Sequence, residues 1–460
     1  MFSADTYKNR RHQLTRQFSG EGLLFFPGNR EVGMNYSANT YRFRQDSNFL
    51  YYFGIKQSGL DAVINLDDGT STLFGRDATL DDTVWTGPQP TLRELADRAG
   101  IERTDAPDQL YKLLDQKEVR VHYLPPYHGS TQIRIAELLN LPVNMVADTA
   151  SNALIGAVVA QRSYKSDAEI REMERALRIT RQMHESVMRR AQPGMREAAL
   201  AGIVRGLAMA GGGDLAYGII LTKNGQTLHN HHHDNLIEAG DLILGDFGAE
   251  TAMGYAADIT RTFPVSEKFT TQQREVYQAV LEAENKAIER CQVGTPYRDV
   301  HQYAAQLMSQ RLKDMGLMRG NIEDAVAQGA HALFFPHGLG HMIGLDVHDM
   351  EGLGEDHVGY SETIQRSEQF GTAFLRLGRE LEAGFVITVE PGIYFIPELI
   401  DQWQSAGKFT EYIDYDALQN FRDFGGIRIE DNVLVTEEGP RVLGEPIAKS
   451  VAEVEELRRR

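Results

Sequence analysis

Residues 336–349 read PHGLGHMIGLDVHD and contain three histidines, His337, His341 and His348, interspersed with glycines. Glycine costs roughly 0.5–1 kcal/mol relative to alanine inside a helix or strand, so packing alone does not account for this composition. A single histidine in an apolar segment is more often structural than functional. Three histidines in so short a glycine-rich segment predict a functional site.

Two aspartates lie in strand-like runs upstream of this segment. Residues 242–263, LILGDFGAETAMGYAADITRTF, predict a hairpin that brings Asp246 and Asp258 to one place. Taken alone, the two residues also fit a turn aspartate and an edge charge. An isolated ionised carboxylate among small and apolar residues is costly, which favours a shared functional role.

Two glutamates repeat this pattern near the carboxy terminus. FVITVEP ends an apolar strand at Glu390, and Pro391 keeps the backbone of that glutamate extended. In GIRIEDNVLV, strand alternation places Arg428 and Glu430 on the same face. A simple ion pair between these last two residues is an equally good interpretation of that motif alone.

Four carboxylates in one pocket would repel one another unless cations neutralise them, so the sequence predicts a dinuclear metal centre. Oxygen ligands with one imidazole suit manganese, or cobalt or iron, better than a thiolate-rich structural zinc site. The zinc motif H-E-x-x-H is not present at the histidine segment, because Gly338 stands in the place of the glutamate. Two ions roughly 3.5–4 Å apart activate the water between them near neutral pH, so hydrolysis is the expected chemistry.

Composition excludes several other classes of function. The 460 residues carry a formal charge of −18, which argues against nucleic acid and anionic membranes as partners. We find no apolar run near the roughly 18 residues that cross a bilayer, and the start of the chain lacks the apolar region of a secretory signal. The single cysteine, Cys291, fits a reducing compartment. We therefore predict a soluble cytoplasmic protein.

The chain is long enough for two or three domains. Residues 1–160 combine helical patterns with strand-like runs and predict a small α/β domain; the strand-like runs are GLLFF, FLYYFGI, DAVINL and VRVHYLP, and the helical patterns are TLRELADRAGI and TQIRIAELLNL. A capping box, SDAE, begins a long helix at Ser166. Residues 161–460 mix long helices and strands and predict an α+β domain with a central sheet.

Together these motifs resemble the pita-bread metallopeptidases, specifically the branch of Xaa-Pro aminopeptidase (aminopeptidase P) and Xaa-Pro dipeptidase (prolidase). DFGAETAMGYAADITRTF, HGLGHMIGLDVHD, TVEPGIYF and GIRIEDNVLV look like the metal-site motifs of that family. YRFRQDSNFLYYFGI and VWTGPQP resemble its accessory domain. The resemblance implies a carboxy-terminal pita-bread catalytic domain, residues 161–460, preceded by an aminopeptidase P-like α/β domain, residues 1–160.

The resemblance also implies a role for each motif residue. Two divalent ions, most readily Mn²⁺, would be bound by the metal ligands Asp246, Asp258, His341, Glu390 and Glu430. Glu390 would also be the general base, and Arg428 would steady the metal-bound carboxylates. The substrate side would consist of His229, His337, His348 and Trp85.

Among these, His229 would stabilise the tetrahedral intermediate, and His337 and His348 would line the proline pocket. In relatives, a tryptophan at the place of Trp85 reaches the active site of a neighbouring subunit; a core or interface aromatic is the other interpretation of this residue. The run His231, His232 and His233 matches no motif, and we expect it in a solvated loop.

The expected activity is that of a metal-dependent Xaa-Pro aminopeptidase, a hydrolase that uses hydroxide bridging two metal ions to release an N-terminal residue from a following proline. Xaa-Pro dipeptidase is the alternative, because the segment between Glu390 and Glu430 is long and resembles the prolidase version. A metal-free binding module or a creatinase-type enzyme of the same fold is a further alternative. The resemblance implies a homodimer or homotetramer.

Overall fold

The computed structural model describes residues 1–115 and 119–459. The backbone contacts of these residues divide the chain into two units. The amino-terminal unit comprises residues 1–162 and 351–357, and the carboxy-terminal unit comprises residues 163–350 and those from 358 onward. Within the described part of the chain, no helix is both long and apolar enough to cross a membrane.

The amino-terminal unit is built on a five-stranded sheet with the strand order β6-β5-β4-β1-β7. Its strands are β1 (Leu23–Pro27), β4 (Asp61–Asn65), β5 (Ser71–Phe74), β6 (Arg103–Asp105) and β7 (Val121–His122), and a separate hairpin consists of β2 (Gly33–Tyr36) and β3 (Asn39–Thr40). Its helices are α1 (Ala4–Gln17), α2 (Ser47–Phe53), α3 (Leu80–Thr86), α4 (Leu92–Ala99), α5 (Pro107–Leu114), α6 (Gly129–Leu139) and α7 (Asn152–Arg162). Phe25, Val63 and Ile135 belong to the apolar core that joins this sheet to its helices.

Most of the elements expected for this unit are confirmed, including the strands in GLLFF and DAVINL and the helices α4 and α6. The strand expected in FLYYFGI is wrong, because this segment forms the helix α2. Asp46 caps the helix by accepting from the Phe49 amide at 2.9 Å, and Gly54 ends it in the left-handed conformation with φ 66°. A short, fully buried apolar run has no polar face from which a helix and a strand can be told apart.

The carboxy-terminal unit combines long helices with short antiparallel strand pairs. Its helices are α8 (Asp167–Arg190), α9 (Glu197–Ala210), α10 (Thr271–Arg290), α11 (Tyr297–Asp314), α12 (Ile322–Gln328), α13 (Glu355–Gly359, of which only the last two residues belong to this unit), α14 (Pro397–Ser405), α15 (Tyr415–Leu418) and α16 (Val451–Arg459). Its strands are β8 (Asp214–Leu215), β9 (Ile220–Thr222), β10 (Leu242–Asp246), β11 (Ala249–Glu250), β12 (Thr260–Pro264), β13 (Val386–Val389), β14 (Gly392–Tyr394), β15 (Gly426–Arg428), β16 (Asp431–Thr436) and β17 (Gly439–Val442). The capping box predicted at Ser166 is confirmed, since Glu169 accepts from both the amide and the hydroxyl of Ser166.

The four carboxylate residues of the predicted metal site lie at or just beyond the ends of paired strands. In the predicted hairpin, β10 and β12 pair antiparallel with Asp246 opposite Thr260, so Asp258 lies just before the second strand. GIRIEDNVLV forms two strands rather than one, because β15 pairs with β14 and β16 pairs with β13. Glu430 lies at the break between β15 and β16, and Glu390 lies at the matching break between β13 and β14.

Candidate active site

The histidine segment lies against β13, and its glycines allow this close approach. The amide of His341 donates to the Thr388 hydroxyl at 3.1 Å, and the Thr388 amide donates to the His341 carbonyl at 2.9 Å. A Cβ atom at Gly340 would overlap the carbonyl oxygen of Thr388. Glycine is therefore required here to bring His341 beside the strand that ends at Glu390.

The imidazole of His341 faces two carboxylates. Its Nε2 lies 3.4 Å from Asp258 Oδ2 and 3.6 Å from Glu390 Oε1, and its Nδ1 lies 3.0 Å from the carbonyl oxygen of Met342. Donation from Nδ1 to that carbonyl leaves the Nε2 lone pair for a metal ion. Ligand atoms of Asp258, His341 and Glu430 all lie within 4.8 Å of one another, as a shared cation requires.

Asp246 is held beside this group by two side chains. The hydroxyl of Tyr217 lies 2.7 Å from Asp246 Oδ1 and also contacts Asp258. Arg428 donates through Nη2 to Asp246 Oδ2 at 2.5 Å, and its Nε lies 4.0 Å from Glu390 Oε2. The structure thus brings all five predicted ligands into one cluster, in which Glu390 is half-buried and the other four are buried. We name it the acidic cluster: Asp246, Asp258, His341, Glu390 and Glu430.

The two carboxylate oxygens of Glu430 differ in their surroundings. Oε2 accepts from the Thr260 hydroxyl at 2.7 Å, and Arg428 Nε donates to the same hydroxyl oxygen at 3.1 Å. Oε1 is buried and has no hydrogen-bond partner among the described residues. Because an unpaired buried carboxylate oxygen is costly, this atom fits a metal ligand better than a structural group.

Burial disfavours ionisation of the acidic cluster when no cation is added. It raises the pKa of Glu390 to about 7 and raises the pKa values of Glu430 and Asp246 above their ordinary range, and neighbouring carboxylates add to each shift. Burial also opposes ionisation of Asp258, but the hydrogen bond and charge of His341 lower the pKa of this residue. An oxygen-rich site whose carboxylates resist ionisation without a cation is suited to hard divalent ions.

A cavity of about 1130 Å³ opens beside the acidic cluster and is lined by the three substrate-side histidines predicted in this unit. His337 lies within 2.8 Å of both the Tyr394 hydroxyl and the Gly338 carbonyl. Burial, together with the charge of Arg428, lowers the pKa of His337 to about 3. A neutral His337 accepts from Tyr394 and donates to Gly338, while Arg428 donates to the Tyr394 hydroxyl oxygen at 2.8 Å.

The other two histidines face the same cavity. The rings of His348 and His341 lie 4.0 Å apart between centroids. Partial burial, followed by the positive charge of Arg428, lowers the pKa of His229. Both rings therefore line the cavity beside the acidic cluster.

Trp85 lies on α3 of the amino-terminal unit with 86% of its surface exposed, so its interpretation as a core aromatic is wrong. Its contact with a neighbouring subunit stays a prediction. His231 lies exposed in a loop, as predicted, but it also lines the cavity. The spacing of two residues between His229 and His231 was the available sequence signal that both could belong to the site.

Sequence reasoning also missed neutral and apolar parts of the site. Tyr217 and Tyr394 are hydroxyl partners of charged groups, and such tyrosines cannot be distinguished from core residues by sequence alone. The segment between Glu390 and Glu430 forms α14, which begins with Pro397, a residue favoured in the first turn of a helix. Four residues in and beside α14 line the cavity: Ile396, Glu398, Leu399 and Gln402. Phe370, Phe374 and Arg376 also line it.

The fold and the site define a pita-bread metallopeptidase. The model of Metallopeptidase family M24 matches residues 171–437, and that of the Aminopeptidase P, N-terminal domain matches residues 7–122. The chain belongs to Metallopeptidase family M24 and is a hydrolase.

Two curated relatives and one solved structure show the extent of the similarity. The chain is 32% identical over 470 residues to the Xaa-Pro aminopeptidase of Escherichia coli, covering 99% of this chain and 98% of that protein. It is 30% identical over 421 residues to the Xaa-Pro dipeptidase of Homo sapiens, covering 90% and 84%. The structure of Pseudomonas aeruginosa aminopeptidase PepP superposes with a TM-score of 0.81 at 27% identity, covering 100% of this chain and 98% of that one.

Proposed function

We propose that this chain is a metal-dependent Xaa-Pro aminopeptidase that hydrolyses the bond between an N-terminal residue and a following proline. The observation that carries this proposal is the acidic cluster, buried at the base of a cavity that three histidines line. Similarity to an Xaa-Pro aminopeptidase over 99% of the chain, including the amino-terminal domain, supports this choice of substrate.

The acidic cluster would bind two divalent ions, and manganese is the metal we propose from the oxygen-rich ligand set. When bound, such ions polarise the substrate carbonyl and lower the pKa of water into the neutral range. Arg428 contributes by holding Asp246 at 2.5 Å, so that this carboxylate keeps its orientation. The unpartnered Oε1 of Glu430 supports the assignment of this residue as a ligand.

Glu390 is the general base in this proposal. Its side chain is 19% exposed, compared with 12% for Asp246 and 7% for Asp258, so it has the best access to the cavity of these three. It accepts the proton of the attacking water and passes it to the proline nitrogen as the bond breaks. Protonation of that nitrogen is needed because the amine leaves poorly as an anion.

The histidines act on the substrate. His229 donates to the carbonyl oxygen where negative charge develops, and His348 contacts the peptide beside His341. His337 is kept neutral and oriented by Tyr394, so it lines the proline pocket without adding a charge. Proline requires a dedicated pocket because its tertiary amide lacks an N–H and its ring fixes the backbone.

Xaa-Pro dipeptidase activity is the second candidate. The observation that favours it is α14, which lies in the segment that resembles prolidase and helps to line the cavity. The human Xaa-Pro dipeptidase is also 30% identical over 90% of this chain. Against it, the cavity of about 1130 Å³ exceeds the ~300–1,000 Å³ typical of small-ligand pockets, which leaves room for a longer peptide.

We further propose that residues 1–160 form the aminopeptidase P-like domain and residues 161–460 the catalytic domain of a cytoplasmic homodimer or homotetramer. The exposed ring of Trp85 is available to reach a neighbouring subunit and to restrict substrate length. Size-exclusion chromatography with light scattering tests the assembly. A monomer would contradict the proposed role of Trp85.

A substrate-length profile with added Mn²⁺ tests the central proposal. Purified full-length protein is assayed on Xaa-Pro dipeptides, Xaa-Pro-Yaa peptides and matched peptides with alanine in place of proline. We expect turnover of the longer proline peptides and little turnover of the alanine peptides. Turnover of dipeptides alone would assign the chain as a prolidase, and metal-independent turnover would overturn the proposed centre.

A further inference from the structure

A second buried polar group lies next to the acidic cluster in the sequence. Asp431 directly follows Glu430 and begins β16. It contacts Arg261 of β12 and Lys449, and Lys449 also contacts Glu284 of α10. We name these four residues the paired cluster: Arg261, Glu284, Asp431 and Lys449.

Arg261 is 1% exposed, and each N–H direction of its guanidinium meets an acceptor. Nη1 donates to the carbonyl oxygens of Glu430 at 2.7 Å and Thr260 at 3.0 Å. Nη2 donates to Asp431 Oδ1 at 2.7 Å, and further bonds reach the carbonyls of Ile447 and Ala448 at 3.1 and 3.2 Å. A guanidinium offers five donors in a rigid plane, so lysine cannot replace this set of contacts.

Lys449, which lies just before the last helix, also contacts Asp431. Its Nζ donates to both carboxylate oxygens of Glu284 at 2.8 Å and to Asp431 Oδ2 at 2.7 Å. The Tyr277 hydroxyl donates to the Lys449 carbonyl at 2.7 Å. Residues 447–449 are thereby attached to Arg261 of β12 and to Asp431, the residue that follows Glu430.

Two of the carbonyls that Arg261 holds belong to residues of the proposed metal site. The Thr260 hydroxyl donates to Glu430 Oε2, and the Glu430 amide donates to the Thr260 carbonyl at 3.1 Å. Arg261 bonds to the carbonyls of both residues, and therefore constrains the backbone that orients the Glu430 carboxylate. Groups that orient metal ligands in this way are known to contribute to metal affinity.

We propose that Arg261 is a positioning residue for the metal centre, and that Asp431 and Lys449 hold Arg261 in place. This inference rests on the proposed role of Glu430 as a ligand. It assigns to residues 447–449, which lie far from the metal motifs in sequence, an influence on divalent-cation affinity. A purely structural role would predict lower stability with unchanged cation affinity.

The test is the Mn²⁺ affinity of full-length protein that has been stripped of metal, measured by calorimetric titration for the wild type and Arg261→Lys. The control is Arg11→Lys in the amino-terminal unit, because Arg11 is 2% exposed and donates to three backbone carbonyls, those of Tyr52, Ala99 and Gly100. The melting temperature of each metal-free protein is measured alongside.

We expect Arg261→Lys to weaken Mn²⁺ binding by about 10–100-fold, and Arg11→Lys to lower the melting temperature while leaving Mn²⁺ affinity unchanged. Wild-type affinity in Arg261→Lys would overturn the inference while the metal centre stands. A wild-type protein that takes up no Mn²⁺ would overturn the metal centre itself. If Arg261→Lys does not fold, Lys449→Gln provides the same test, since the Lys449 side chain is 22% exposed and its loss is better tolerated.

Discussion

Glu430 and Asp431 are neighbours in sequence, yet they belong to clusters with different charge balance: acidic residues predominate in the first, and acidic and basic residues are equal in number in the second. In the paired cluster, both oxygens of Asp431 and both oxygens of Glu284 meet Arg261 or Lys449 within 2.8 Å. In the acidic cluster, the guanidinium of Arg428 contacts two of the four carboxylates, those of Asp246 and Glu390. One oxygen of Glu430 has no partner in the described part of the chain.

Proton affinities reflect this difference. Burial raises the pKa of Glu430 well above its usual range, and three nearby carboxylates add to the shift. Burial acts on Asp431 in the same direction, but Arg261 and Lys449 outweigh it and hold the pKa below the usual range. Glu284 shares Lys449 with Asp431, and burial with the charge of Asp431 raises its pKa to about 8.

Asp431 is thus a structural carboxylate, whereas Glu430 is a proposed metal ligand. Glu430 and Asp431 are both buried, and both lie at the start of β16 or directly before it, so burial does not distinguish them. What distinguishes them is whether the chain itself supplies the neutralising cation. The acidic cluster lacks that supply among the described residues, and in the proposed function added metal ions provide it.

Metal removal should have the largest effect, because the proposed reaction depends on metal ions bound by the acidic cluster. Incubation with a chelator should abolish peptide hydrolysis, and excess Mn²⁺ should restore it. Mn²⁺ at about 100 times its dissociation constant should stabilise the fold by ~2.7 kcal/mol for each ion bound. Activity and thermal unfolding measured with and without chelator check both statements, and full activity in chelator would remove the distinction between the clusters.

Glu390→Gln should reduce kcat by about 10²–10⁴, the range of a lost general acid–base group. The fold should persist, since the substitution retains the size of the side chain. Glu398→Gln is the matched control, because Glu398 lines the same cavity but lies outside the acidic cluster. Steady-state kinetics and circular dichroism compare the two variants. Near-normal turnover in Glu390→Gln would exclude this residue as the base.

Amide substitutions in the two clusters should change the stability of the metal-free protein in opposite directions. Asp431→Asn should cost about 3–5 kcal/mol, because it leaves buried cations without their partner. Glu430→Gln should leave the metal-free protein as stable as the wild type or more stable, because burial and the neighbouring carboxylates already disfavour an ionised Glu430. Chemical denaturation in the presence of a chelator measures both, and equal losses would contradict the comparison.

Two buried histidines are a third kind of buried group, and we expect their effect on stability to be the smallest. His301 and His331 are buried, and neither ring has a hydrogen-bond partner among residues 1–115 and 119–459. Burial lowers the pKa of His331 from 6.5 to about 4, so the unfolded chain binds more protons between these values. Stability should therefore fall as pH drops from about 6.5 towards 4.

The contribution of His331 to this pH dependence is about 1.4 kcal/mol per pH unit, the value for one proton. Unfolding free energies of the wild type and His331→Gln, measured from pH 7 down to pH 4.5, test it. The unfolding free energy of the variant should change less steeply with pH than that of the wild type, by about this amount. Equal slopes would mean that His331 is protonated in the folded protein.

Much of the site could be predicted from sequence because its chemistry lies in short motifs. Apolar runs that end in carboxylates are costly without a purpose, so Asp246, Asp258, Glu390 and Glu430 stand out individually. Their convergence depends on the ladders β10–β12 and β13–β16, whose register is reflected only weakly in sequence. Their roles as ligands stay predictions that the metal titration addresses.

Other features could not be predicted, each for a physical reason. FLYYFGI forms a buried helix because capping by Asp46 and Gly54 decided between two conformations that its apolar run permits equally. Tyr217 and Tyr394 became parts of the site through tertiary contacts of their hydroxyl groups, which leave no periodic signal. His231 lines the cavity because of the path of its loop.

The amino-acid sequence shows which residues carry charge or can bind a metal, and it shows the strand-end positions at which they are costly to bury. Which carboxylates meet a positively charged side chain of the protein depends on the tertiary structure. Asp431 meets Arg261 and Lys449, whereas one oxygen of Glu430 accepts from the Thr260 hydroxyl and the other has no hydrogen-bond partner among the described residues. Charge compensation acts over a few ångströms in space, and residues as distant in sequence as Asp431 and Arg261 supply it.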